Sequence, residues 1–158
     1  MLSKDISFLA DDLITKLNSE LSSKLKIIGG MIVEDVHKHI DSDVYGVYPN
    51  PKVYERTGKL KESIKMSPVD NGINGISIDI YSDDEIAKGH HMYESNNKVE
   101  PYAGIVESGI GYDYGSWNGH PWDYQVLKRP FMRNTIEENS DNIVSLLDKA
   151  VGDAIKKL

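Results

Sequence analysis

The 158-residue chain offers five histidines and 25 carboxylates for acid–base or metal chemistry, and no cysteine to add a thiolate. His37 and His39 stand two apart in a segment with helical spacing, so they project roughly 200° apart and cannot share a metal ion. His90, His91 and Glu94 lie together in polar sequence, but their spacing matches no zinc signature. These four histidines, and His120 beside Pro121, read as surface or hydrogen-bonded side chains. The pairs Asp11–Asp12, Asp83–Asp84 and Glu137–Glu138 read as solvated charge, because general acid–base work needs carboxylates that converge in a pocket. "GIGYDYG", residues 109–115, has the glycines of a phosphate loop but neither the lysine nor the serine or threonine of the Walker pattern. No catalytic residue, metal site or cofactor site is expected.

Two stretches are better suited to binding than to catalysis. "KVYERTGKLKESIK", residues 52–65, sets five basic residues against Glu55 and Glu62, a net +3 in an acidic protein. An island of this size can contact an acidic protein surface or a few phosphates, too few for nucleic-acid binding to be the main role. Its plainer reading is a solvated turn in which Thr57 caps a short helix. Further along, Tyr112, Tyr114, Trp117, Trp122 and Tyr124 fall within thirteen residues of glycine-rich sequence, and both tryptophans of the chain are among them. Such rings can cover a core locally. Tyr and Trp are also enriched in binding hot spots, and long loops are usually functional or disordered, which so many aromatics argue against. The segment is therefore expected to be a protein-binding surface.

Charge and length narrow the classes further. The net charge of −7 disfavours a protein that wraps DNA, since counterion release needs a basic face. Composition is that of an ordinary globular protein, and the length suits one domain, residues 1–158, with a real core. No run of about 18 apolar residues is present, so no membrane span is expected, and the first residues lack the pattern of a secretory signal.

Apolar spacing supplies the elements that position these stretches. Ile6, Leu9, Leu13, Leu17, Leu21, Leu25, Ile28, Ile32, Val36 and Ile40 recur in steps of three or four, predicting a helix over 3–40 with Ser3 as N-cap. Unbroken, it would run roughly 57 Å, far beyond the radius of about 15 Å expected of such a domain. The stripe keeps its phase across Gly29–Gly30, which favours one helix kinked there over two. "GKLKESI" predicts a helical turn with Leu60 and Ile64 on one side. "ESIKMSPV" and "GISIDIYS" flank a turn-rich "DNGIN" and predict a hairpin, in which Pro68 marks an edge or a strand end. Residues 83–100 read as a polar loop, "PYAGIVESG" is ambiguous between helix and strand, and "DYQVLK" suits a short strand. Ile136, Ile143, Leu147, Val151 and Ile155 predict an amphipathic helix over 130–157. The expected fold is α+β, a long N-terminal helix and a C-terminal helix packed on a small antiparallel β-sheet within residues 62–128.

The order of short motifs along this frame resembles the head–tail joining, or neck, proteins of long-tailed bacteriophages, often labelled minor tail components. The Arg-Thr-Gly-x-Leu-x-x-Ser core stands at Arg56, Thr57, Gly58, Leu60 and Ser63. The Tyr-Ala-x-x-Val-Glu-x-Gly pattern stands at Tyr102, Ala103, Val106, Glu107 and Gly109. Arg129, Pro130, Phe131, Met132 and Arg133 match the Arg-Pro-Phe-Met/Leu-Arg lead into the last helix. Ser108 stands where the family often has an aromatic, Ile110 replaces a common threonine, and the stretch 111–128 is longer than usual.

The resemblance implies a structural, non-enzymatic virion protein, made in the bacterial host cytoplasm. It implies a homo-oligomeric ring between the head connector or head-completion protein and the tail-terminator or tail-tube proteins. Genomic DNA would pass through its lumen without specific binding. On that reading the interface candidates are Arg56, Thr57, Gly58 and Leu60, the five aromatics Tyr112, Tyr114, Trp117, Trp122 and Tyr124, and Arg129, Phe131 and Arg133. Two alternatives remain, a tail-terminator or tail-completion protein of the same architecture, and a small metal-dependent nucleic-acid-processing enzyme using His90, His91, Glu94 and the basic island.

Overall fold

The structure, a computed structural model, describes residues 2–47, 57–72, 75–90, 99–108 and 128–157. Among the described residues, two long helices, α1 (Leu2–His39) and α4 (Phe131–Lys156), bracket in sequence short helices α2 (Lys59–Ser63) and α3 (Ala103–Ser108) and six three-residue strands. The fold is α+β, as the sequence predicts. Ser3 lies inside α1 rather than capping it, and Gly29–Gly30 sits within one uninterrupted helix. Beyond His39 the chain continues as a π-helical segment, Ile40–Tyr45, closed by the Gly46 N–H donating to the Asp41 carbonyl at 2.7 Å.

The predicted hairpin is present in finer pieces. β1 (Ile64–Met66) pairs with β4 (Ile80–Ser82), and β2 (Asp70–Gly72) pairs antiparallel with β3 (Gly75–Ser77). Between these ladders the Ser67 N–H donates to the Asp79 carbonyl, and the Asp79 N–H donates to the Ser67 hydroxyl at 2.9 Å. The hydroxyl stands in for a main-chain acceptor where Pro68, which has no N–H to give, interrupts the strand. Asp70, Asn71 and Gly72, expected in the turn, are paired strand residues. Ile76, Ile78 and Ile80 are half-buried while Ser77 and Asp79 are exposed, the alternation of a one-sided ribbon.

Residues 83–100 hold more order than a polar loop. β5 (Lys88–His90) and β6 (Val99–Pro101) form an antiparallel pair with Lys88 opposite Pro101 and His90 opposite Val99. Composition hides this pair because its strands are short and carry glycine, histidine and proline in place of alternating apolar residues. The "PYAGIVESG" ambiguity resolves as helix α3. The possible strand over 123–128 lies almost wholly outside the described residues.

The chain divides into two compact units. The first, called here the terminal unit, comprises Met1–Ile32, Met66–Ile80 and Glu138–Leu158. The central unit comprises Val33–Lys65 and Tyr81–Glu137. Most of the buried apolar side chains belong to the central unit, among them Val36, Ile40, Leu60, Ile64, Ala103 and Phe131. The terminal unit buries Ile28, Ala150 and Ala154, and its Gly29 meets the hairpin closely. A Cβ on Gly29 would lie 2.6 Å from the Met66 sulfur and 3.1 Å from Ile78 Cδ1.

The stripe read on the last helix is only partly the buried one. Ile143 and Leu147 are half-buried, but Ile136, Val151 and Ile155 are exposed, and Ala150 and Ala154 are buried. Small side chains let a helix approach its neighbours closely, so the alanine face packs and the larger side chains beside it stay outside.

Candidate functional site

The three motif blocks all fall in the central unit, where their main role is to build its frame. In the first block Gly58 has a φ of 75°, a left-handed conformation that glycine adopts without a Cβ penalty. Gly58 occupies the N-cap position of α2 with no side-chain cap, and the Thr57 hydroxyl is 3.5 Å from the Lys59 N–H, a long contact. Leu60 and Ile64 then point inward with Ser63. The Ser63 hydroxyl donates to the Leu60 carbonyl at 2.7 Å and shares a hydrogen bond with the Ser82 hydroxyl at 2.9 Å, while its carbonyl accepts the Asp83 N–H. A buried serine is thus fully engaged, as a buried polar group must be.

The second and third blocks are clamped together. Glu107, near the end of α3, accepts the N–H of Met132 at 2.9 Å and of Arg133 at 3.1 Å, one carboxylate oxygen for each. These are first-turn donors of α4, which have no partner within the helix. A carboxylate there satisfies them and complements the positive end of the macrodipole. The Arg129 N–H donates to the Val106 carbonyl at 3.0 Å, so the residue before Glu107 is also joined to the chain entering α4. Phe131 and Thr135 are buried directly behind it, with the Thr135 hydroxyl donating to the Phe131 carbonyl at 2.8 Å.

A third polar junction was not visible in the motifs. Asp43, on the π-helical segment, accepts from Ser42 Oγ at 2.6 Å, Asn134 Nδ2 at 2.8 Å and His39 Nδ1 at 3.0 Å. Burial disfavours its charge, but the hydrogen bonds from Ser42, Asn134 and His39 outweigh that and hold its carboxyl below the ordinary value. His37 reaches the Lys61 carbonyl through Nε2 at 3.0 Å, and Lys61 pairs with Asp41 at 2.7 Å. The His37 Nε2 carries the proton, since a carbonyl can only accept. Both helical histidines are hydrogen-bonded, one of the two states expected of them from the sequence.

Of the expected interface residues, Leu60 and Phe131 are only 3% and 1% exposed and belong to the central unit's own core. Thr57 and Arg133 are exposed, and Gly58 and Arg129 are half-buried. Arg56 and the five aromatics, Tyr112, Tyr114, Trp117, Trp122 and Tyr124, lie outside the described residues, as do His91, Glu94 and His120. Among the described residues no group of three or more histidines, aspartates or glutamates is placed to hold a metal ion. No described helix is long and apolar enough to cross a membrane.

Comparison with known proteins agrees with the extent of this frame. The YomN family model matches residues 7–157, from the first turns of α1 to the end of α4. The chain is 31% identical over 138 residues to the SPbeta prophage-derived uncharacterized protein YomN of Bacillus subtilis (strain 168). That alignment covers 87% of this chain and 83% of the relative. No solved structure matches the chain. All three motif blocks, all of α4 and all but the first five residues of α1 fall within the matched span, and the chain belongs to the YomN family.

Proposed function

We propose that this protein is a structural component of the phage neck, a ring of identical subunits that joins the DNA-filled head to the tail. The single observation that carries the reading is the clamp of Glu107 on α4. It gives two of the motif blocks that resemble neck proteins a joint structural purpose, which chance matches of short motifs would lack. The prophage origin of the YomN relative supports a phage role for this chain as well. In this reading the protein is not an enzyme, needs no cofactor, and resides in the virion. Its partners are further copies of itself, the head connector or head-completion protein, and the tail-terminator or tail-tube proteins. DNA passes through the lumen unbound, in keeping with a net charge of −7.

Inactivating the gene in a producing phage and imaging the particles tests the reading. Filled heads beside separate tails of normal length are the expected result. Abnormally long tails would assign the chain to tail termination instead. Complete, infectious particles would contradict any essential joining role.

A further inference from the structure

Among its described side chains, the terminal unit fully buries few apolar ones. Among its residues with described side chains, the buried apolar ones are Ile28, Ala150 and Ala154, two of them alanines. Larger side chains remain exposed on both helices of the unit. On α1, Ile27 and Met31 are 62% and 41% exposed, with Leu13 on the same flank. On α4, Val144, Val151 and Ile155 are 57%, 44% and 58% exposed. Their spacing of seven and then four residues puts these three on one face of the helix. Covering these exposed side chains with a partner would remove apolar surface from water, which favours association.

We infer that the α4 stripe of one copy docks on the α1 stripe of the next, forming a head-to-tail joint between identical subunits. Two different stripes on one unit are what a heterologous joint requires, and repetition of that joint closes a ring or grows a filament. Ile27 and Met31 have the same four-residue step as Val151 and Ile155, about 6 Å along each axis, so the two pairs can face one another in register. Charge selects the direction. With the helices parallel, Lys24 stands opposite Asp148, each three residues before its apolar pair. With the helices antiparallel, Glu34, three residues after Met31, would stand against Asp148. The flanking segments agree with the parallel choice, since residues 16–26 carry a net +2 and residues 138–148 a net −3.

This inference rests on the ring reading and adds the surface that makes the ring. The test is the mass in solution, by sedimentation, of the full chain and three sets of variants. Wild type is expected to self-associate as its concentration rises towards the millimolar range. Ile27→Asp with Met31→Asp, and separately Val151→Asp with Ile155→Asp, are each expected to sediment as single chains with unchanged helical circular dichroism. Mixed together, the two double variants are expected to form dimers and nothing larger, because one intact joint remains per pair. A gentler pair guards against misfolding. Lys24→Asp alone and Asp148→Lys alone should each weaken association about two- to five-fold, and the combined swap should restore it. Wild type that assembles while the stripe variants also assemble overturns the assigned surface and leaves the ring reading standing. Wild type that remains a single chain throughout overturns the joint itself, whereas the neck reading is judged separately from particles.

Discussion

Glu107 shows how one side chain can set the geometry of a fold. Its carboxylate replaces the missing partners of two main-chain N–H groups at the start of α4, and no neutral apolar residue can do so. Glu107→Ala should lower stability by about 1–2 kcal/mol, the scale of a lost helix cap, read as a shift in the denaturant midpoint. Glu107→Gln keeps an acceptor but loses the charge, so it should lose less. Asp43 makes a complementary prediction about pH. Its carboxyl is held below the ordinary value in the folded protein, so its contribution is present above the unfolded-state value of about 3.9. That contribution is lost as pH falls from there through the lower folded value. Unfolding followed from about pH 6 down to pH 2 should therefore show wild type losing stability more steeply than Asp43→Asn in the lowest part of that range. Parallel curves would mean that Asp43 is not the anchor described. Glu107 was legible in sequence only through its resemblance to a motif. Asp43 was not legible at all, because its partner Asn134 lies 91 residues away and neither residue type announces the pairing.

At the scale of elements, the long helices are legible in the sequence because their apolar residues repeat over many turns. What spacing could not decide was which of several apolar residues turn inward. Ile27 and Val144 stand next to members of the apolar repeats that predict α1 and α4, and both are exposed. Ala150 and Ala154 are buried although alanine scarcely registers in a hydrophobic pattern. The glycine pair makes the same point about local signals. Both glycines cost helix stability, yet only Gly29 has a close neighbour to justify it, and nothing lies within 4 Å of a Cβ on Gly30. Gly30→Ala should raise stability by about 0.5–1 kcal/mol, measured by chemical denaturation. Gly29→Ala should gain less or lose, because Met66 and Ile78 would have to move. Equal gains at both sites would remove the close approach as the reason for Gly29. The β5–β6 pair was missed for a related reason, since three-residue strands offer too few positions for alternation to show.

At the scale of the whole molecule, the described chemistry-bearing residues are engaged in holding the fold together. The motif blocks turned out to serve the frame of the central unit, with Leu60 and Phe131 in its core. Among the described residues, those exposed and so open to a partner include Thr57 and Arg133 of the motifs and the apolar stripes of the terminal unit's helices. Sequence alone could not separate these roles, because a buried leucine and an interface leucine look alike until their neighbours are known. A neck role also has a consequence that no property of the isolated chain can replace, namely its place in the particle. Electron cryo-microscopy of purified particles measures that most directly. The account predicts this chain as a closed ring at the head–tail junction, and its absence from particles, or its placement only elsewhere in them, would contradict it.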